Sequence, residues 1–172
     1  VAADVADART LLPPEIPQFF APLKNARPPD GKLHYRPMIL GCGQVHFSDA
    51  KTSLDLTRSV ALLASPPGDA LALDWNSAEA TDLSESDLEK TPWEEASFAI
   101  LPPTAAIARN YDAWKKSFAD ALYRGQKVIL WRSGSVGEVS RPAESERDFR
   151  VRLQQAARER RGGDLVGAQR HA

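Results

Sequence analysis

The sequence predicts an α+β domain with a mainly antiparallel sheet, one packed amphipathic helix and a projecting charged C-terminal helix. Three observations carry that expectation. Apolar and polar residues alternate across Gln44–Asp49, where Val45 and Phe47 interleave with Gln44, His46 and Ser48. Tyr111, Trp114, Phe118 and Leu122 recur at spacings of three and four, the period of one helix face. From Val139 to Ala157 a helix-start signal runs into a regular charged segment, VSRPAESERDFRVRLQQAA.

Taken in order, Val1–Thr10 is Ala/Asp-rich with little apolar periodicity and reads as the frayed end of something upstream. The Leu11–Pro29 stretch carries Pro13, Pro14, Pro17, Pro22, Pro28 and Pro29, which remove amide donors and force extended backbone. Residues 1–32 are therefore expected to form a proline-rich linker, docked through Ile16, Phe19, Phe20 and Leu23. An α+β accessory domain over 33–138 follows. Tyr35–Leu40 and Gln44–Asp49 are predicted to pair as a hairpin, with Gly41-Cys42-Gly43 as its turn or bulge and Pro37 on an edge. Ser59–Ala64 supplies a third strand, Leu71–Trp75 a short one, and Ser84-Glu85-Ser86-Asp87 a capped helix start before Leu88. Ser97–Leu101 is a strand halted by Pro102-Pro103.

The Asn110–Arg124 helix is expected to start at an Asn110 cap and end at Gly125, packed on the sheet. Lys127–Trp131 reads as a short buried strand and Ser133–Gly137 as a flexible connector. The charged helix over 139–161 is predicted to begin near Pro142, which suits a first helical position. Its narrow stripe of Phe149, Leu153, Ala156 and Ala157 fits the start of a coiled coil. Gly162-Gly163 is expected to break it, leaving 162–172 as a disordered tail.

Length and composition bound the function. A chain of 172 residues accommodates one ordinary domain, and 13 prolines against 10 glycines point to many rigid connections. A formal net charge of −1, with a pI near 6.4, supplies no global field for nucleic acid or an anionic membrane. The single cysteine, Cys42, excludes an internal disulfide and a thiolate zinc cage, which fits a reducing cytoplasm. No apolar run reaches the roughly 18–20 residues of a membrane span. The chain begins with Val1, not Met, and so reads as a fragment of a longer protein.

Candidate chemistry is sparse. Gly41-Cys42-Gly43 lacks the third glycine and following helix of a dinucleotide site, and no GxxxxGK[ST] loop occurs. Cys42 and His46, with His34 upstream, suggest a metal site or a Cys/His pair, but a bulge at the glycines would put them on different faces. A buried thiol and a surface histidine are the simpler reading, and His171 needs no role. Asp74, Glu79, Asp82, Glu85, Asp87, Glu89, Glu94 and Glu95 face only Lys90, match no EF-hand spacing and read as a solvated acidic surface. Tyr35, Trp75, Trp93, Trp114 and Trp131 lack the basic interleaving of a base-stacking platform. On the terminal helix, early acids and late arginines complement the helix dipole. Arg147, Arg150, Arg152 and Arg158 are the residues available for a partner or for nucleic acid.

The run SRPAESERDFRVRLQQAARE follows LPPEIPQFF, YRPMILGCGQVHFSDAK and Tyr111-Asp-Ala-Trp114 with Phe118. Together these segments resemble the C-terminal region of bacterial HerA-like ATP-binding proteins, P-loop ATPases of the HerA/FtsK type. The similarity runs from about Leu11 to Glu159. The resemblance implies an ATPase core upstream, a proline-rich linker joining it to this region, and a coiled coil continuing past Arg158. ATP and Mg²⁺ would belong to the parent, a DNA translocase or helicase, and no catalytic residue carries over because the nucleotide motifs lie outside this chain. Ala143 stands where the resemblance leads one to expect glycine, and Arg161-Gly162-Gly163 through Ala172 departs from the expected coiled coil, as a truncation or frameshift would. The expected function is a non-catalytic accessory or interaction domain whose partners are the upstream core and a coiled-coil partner or a second copy. A nucleic-acid-contacting module using the Arg-rich helix is the alternative, and a small enzyme around Cys42 and His46 the third reading.

Overall fold

The computed structural model describes residues 5–6, 8–23, 31–69 and 72–168. It is an α+β chain that divides into two compact units: Val1–Val45 with Arg58–Gly125, and His46–Thr57 with Gln126–Ala172. Strands β1 (Val5–Ala6), β2 (His34–Tyr35), β3 (Ile39–Asp49), β4 (Leu54–Ala64), β5 (Glu79–Thr81) and β6 (Ser97–Ala99) precede helices α1 (Ala108–Gly125) and α2 (Glu146–Ala168). Among the described residues, no helix is long and apolar enough to cross a membrane.

The described strands form two three-stranded sheets, ordered β1-β6-β2 and β3-β4-β5. The expected α+β class with mainly antiparallel pairing holds, with the strands divided between two sheets instead of one. In the first sheet, β6 pairs antiparallel with β1 and parallel with β2, with Tyr35 opposite Phe98. Pro37, which has no amide proton, accounts for the break that ends β2 at Tyr35 and delays β3 to Ile39. In the second sheet, β5 pairs antiparallel with β4, Leu62 opposite Ala80. β5 lies inside the acidic stretch, where no strand was predicted.

Gly41-Cys42-Gly43 is not a turn. β3 passes straight through it, and the reason is packing: Phe118 and Trp75 press on Gly41, and Leu122 and Phe118 press on Gly43. Any side chain here would occupy the space of the α1 face. Reversal comes instead at residues 50–53, where Asp49 accepts bonds from the Lys51 amide (3.0 Å) and the Thr52 hydroxyl (2.9 Å) and Ser53 takes φ 52°. β4 accordingly begins at Leu54, earlier than the predicted Ser59.

The core gathers Ala64, Leu73, Trp75, Ala105, Trp114, Phe118 and Leu122, so the predicted helix face does bury itself. Trp75 is pinned within it, its indole N–H donating to the Trp114 carbonyl (3.2 Å) and the Ser117 hydroxyl (3.1 Å). Residues 72–75 deliver Leu73 and Trp75 to this core without forming the predicted strand, and Leu71 lies outside the described residues. α1 starts at Ala108, so Asn110 is not its cap. A short 3-10 turn, Pro103–Ala106, precedes the helix, and the buried Asn110 amide donates back to the Thr104 carbonyl at 2.8 Å. Ile16 and Phe20 are buried as expected, Phe20 standing edge-on to Tyr35 at 5.2 Å while Tyr35 stacks on Phe98 at 5.6 Å. Leu23 remains 36% exposed and does not anchor.

In the second unit Lys127–Trp131 forms no strand, and Ile129 is 72% exposed. The chain turns back on itself further along. Ser133 N–H donates to Glu138 O (2.9 Å) and Ser140 N–H to Trp131 O (2.8 Å), with Gly137 at φ 72° completing the reversal. Pro142 does not open α2. Ala143 sits at φ 64°, a left-handed conformation no helix tolerates, and the helix starts at Glu146 behind Ser145. Asp148 N–H donates to Ser145 Oγ at 3.1 Å, which makes Ser145 the cap. The backbone helix then continues through Gly162-Gly163 to Ala168, beyond the predicted end at Arg161, and residues 169–172 lie outside the described residues.

Candidate functional site

The first unit carries a cleft of about 480 Å³. The proline-rich segment contributes Leu12, Phe19 and Phe20 to its wall, the start of β3 contributes Ile39 and Leu40, and the loop after β5 contributes Leu83 and Leu88. Prolines hold the N-terminal segment extended, which lets consecutive side chains reach this wall instead of folding on themselves. Arg9, Arg36 and Glu85 bring charge to the otherwise apolar lining. Neither arginine makes an ion pair among the described residues. The volume is that of an ordinary ligand site, apolar with a few polar groups.

Chemistry does not assemble over this cleft. Cys42 lines it, but burial pushes its thiol above the ordinary value and Glu85 adds to the rise, which lowers the thiolate fraction a nucleophile needs. Cys42 is exposed, not buried as expected, because β3 runs unbulged and turns it away from α1. His46 is engaged at the hairpin tip, Nδ1 lying 3.2 Å from Thr57 Oγ1 and Nε2 3.6 Å from Asp55 Oδ1. His34 Nδ1 lies 3.0 Å from Ser97 Oγ, and that hydroxyl donates to the Leu33 carbonyl. The Ser97 hydroxyl is thus shared between the His34 ring and a backbone carbonyl at the point where His34 and Ser97 face each other in the β2–β6 pair. Among the described residues, no three His, Cys, Asp or Glu side chains could hold a metal ion together.

The acidic stretch is mostly exposed and locally satisfied. Asp74 accepts from the Asn76 amide and the Ser77 hydroxyl, and the Ser77 bond above all holds its carboxyl below the ordinary range. Ser84 and Asp87 form the predicted helix start, now a single 3-10 turn, with the Ser84 amide donating to Asp87 Oδ2 at 2.8 Å. Nor do the aromatics make a stacking platform. Trp75 and Trp114 are core residues, and Tyr35 packs on Phe20 and Phe98.

Four of the six arginines of α2, those at 147, 150, 152 and 158, separate by what they touch. Arg152 is internal to its unit: Nε donates to Glu144 Oε1 (2.9 Å), one terminal nitrogen to Glu144 Oε2 and the Val139 carbonyl (both 3.0 Å), and the other to Glu138 Oε2 (3.1 Å). Its guanidinium also lies 5.3 Å from the Phe149 ring. Expected as a contact residue, Arg152 is instead a structural clamp. The bidentate bond to Arg152 is also the main cause holding the Glu144 carboxyl down at about 2. Arg150 pairs with Glu146 one turn back. Arg147 and Arg158 are exposed, with no ion pair among the described residues. The apolar stripe is partly used already: Phe149 is 4% exposed and Leu153, Ala156 and Ala157 are half-buried, whereas Val151 faces solvent.

Sequence reading missed Glu138 and Glu144 as the partners of Arg152. Fourteen and eight residues, respectively, separate them from it, and neither spacing is a helical contact. The cleft does not supply a nucleotide cradle either, because the glycines that might have formed one are covered by Phe118, Trp75 and Leu122. Comparison of the chain with protein-family models, with curated proteins and with solved structures returned no match.

Proposed function

We propose that the chain is a non-catalytic accessory domain of a HerA-like ATPase, cytoplasmic in location, that docks a partner segment in the cleft of its first unit. One observation carries the docking reading: an open apolar cleft of ligand size that is lined by Leu12, Phe19, Leu83 and Leu88 and carries two arginines without an ion pair among the described residues. An extended segment with apolar side chains and an acidic residue complements that lining. The ATPase parent rests on the resemblance of the LPPEIPQFF, YRPMILGCGQVHFSDAK and SRPAESERDFRVRLQQAARE segments. ATP and Mg²⁺ would be bound by that parent, not by the residues present here.

Two measurements test the two parts separately. The coding sequence upstream of Val1 is expected to contain a Walker A loop in frame, and its absence removes the ATPase parent. Sedimentation of the upstream core with this domain is expected to give a complex that Leu88→Asp weakens at least tenfold while thermal unfolding stays unchanged. A complex indifferent to Leu88→Asp and to Phe19→Asp rules out the cleft as the docking surface.

A second reading is favoured by Arg147 and Arg158, both exposed without ion pairs among the described residues. The Arg-rich face of α2 would then contact nucleic-acid phosphates. Absence of binding to duplex or single-stranded DNA at low salt overturns it.

A further inference from the structure

We propose that Arg152 is a latch that selects where α2 begins, holding closed a second helix start one turn upstream at Pro142. In the observed state residues 141–144 form a turn: Glu144 N–H donates to the Arg141 carbonyl (3.1 Å) and the Arg141 N–H to Glu144 Oε2 (2.7 Å). The same Glu144 carboxylate takes two bonds from Arg152, and Arg152 reaches on to Glu138 and to the Val139 carbonyl. One guanidinium thus ties the first turns of α2 to the chain reversal that precedes it.

The turn is held against local preference. Ala143 sits at φ 64°, where a residue with a Cβ is disfavoured, although alanine is the strongest helix former. The segment Pro142-Ala143-Glu144 is itself a good first helical turn, with proline at the first position and an acid beside the positive end of the dipole. The two starts exclude one another. Were Glu144 helical, it would lie eight residues, or about 12 Å along the axis, from Arg152, too far for the bidentate contact. Opening the latch therefore adds a turn to α2 and releases Glu138 and the Val139 carbonyl together. Glu144 stays ionised down to about pH 2, so competition for Arg152 opens the latch, not protonation. This device stands whether or not the chain belongs to an ATPase.

Backbone chemical shifts of residues 142–145, with far-UV circular dichroism, test it on the whole chain. In Arg152→Gln those residues are expected to acquire helical shifts and the chain to gain about four helical residues. Glu144→Gln, which weakens the same contact from the other side, is expected to move the shifts in the same direction. Adding Ala143→Gly to Arg152→Gln is expected to restore the non-helical shifts, because glycine accepts the left-handed conformation and disfavours the helix. Unchanged shifts in both single variants overturn the latch, and so does loss of α2 helicity in either, since that makes Arg152 a support of the helix and not a selector of its start.

Discussion

Gly41→Ala isolates the packing that makes β3 continuous. The new Cβ would lie 2.8 Å from Phe118 Cε2, 2.8 Å from Trp75 Cη2 and 2.9 Å from Phe118 Cδ2. Neither ring yields easily. Trp75 is fixed by its two indole hydrogen bonds, and the rings touch each other with centroids 4.7 Å apart. Overpacking of this kind costs about 1–3 kcal/mol. Replacing a glycine within a strand returns roughly 0.5–1 kcal/mol of backbone entropy. The net expectation is a loss centred near 1 kcal/mol within a span of about 0–2.5, a fall in Tm of about 2–4 °C at that centre for a chain of this size. Urea unfolding followed by tryptophan fluorescence measures it, with Gly68→Ala and Gly134→Ala as controls, since a Cβ at either meets nothing within 4 Å. The controls should stay within about 0.5 kcal/mol of wild type. Phe118→Leu combined with Gly41→Ala should recover part of the loss, a coupling of about 1 kcal/mol. A Gly41→Ala chain as stable as wild type refutes the close packing of β3 on α1.

Three further outcomes follow from the geometry. Glu144 has its carboxyl lowered from 4.5 to about 2, so its contribution is present above about pH 4.5 and fades as pH falls toward 2. The stability difference between wild type and Glu144→Gln, followed by thermal unfolding against pH, should therefore vanish near pH 2, and a difference flat across that window removes the Arg152 contact as its source. Trp75→Phe deletes a buried donor shared between the Trp114 carbonyl and Ser117, at a cost of about 1–3 kcal/mol in urea unfolding; a loss below about 0.5 kcal/mol would show that these bonds do not anchor the core. If α2 binds duplex DNA, replacing Arg147 and Arg158 by alanine should reduce the salt slope of the anisotropy-measured affinity by about 1.8. Equal slopes for wild type and the double variant set that reading aside.

What the sequence made legible were features whose partners are close along the chain. The α1 face was readable because Tyr111, Trp114, Phe118 and Leu122 are one periodic set, and all four pack into or against the core. Glycine is harder, since it signals both a turn and a close approach. Choosing between them at Gly41 required knowing that Phe118, 77 positions on, lies against it. The apolar run KVILW misled for a related reason: a strand needs a partner, and the pairing available nearby is the single bridge of Arg132 with Val139. The helix start at Pro142 was a sound local inference, but Ala143 takes a left-handed conformation and Ser145 caps the helix three residues later. The cleft was not legible at all, because its wall joins residues from Arg9 to Tyr111 and no local pattern marks them as neighbours.

The arginines at 147, 150, 152 and 158 of α2 show why a basic helix cannot be read as one surface. Arg152 spends its donors inside the protein, and Arg150 is paired with Glu146. Of these four, that leaves Arg147 and Arg158, eleven residues apart and so about 16 Å along the helix. Two such charges, with Asp148 and Glu159 exposed beside them, make a weak sequence-independent phosphate footprint. The clamp at Arg152 works in the other direction. It is partly enclosed, bidentate and built from groups on three separate segments, so it fixes how α2 leaves the chain reversal before it.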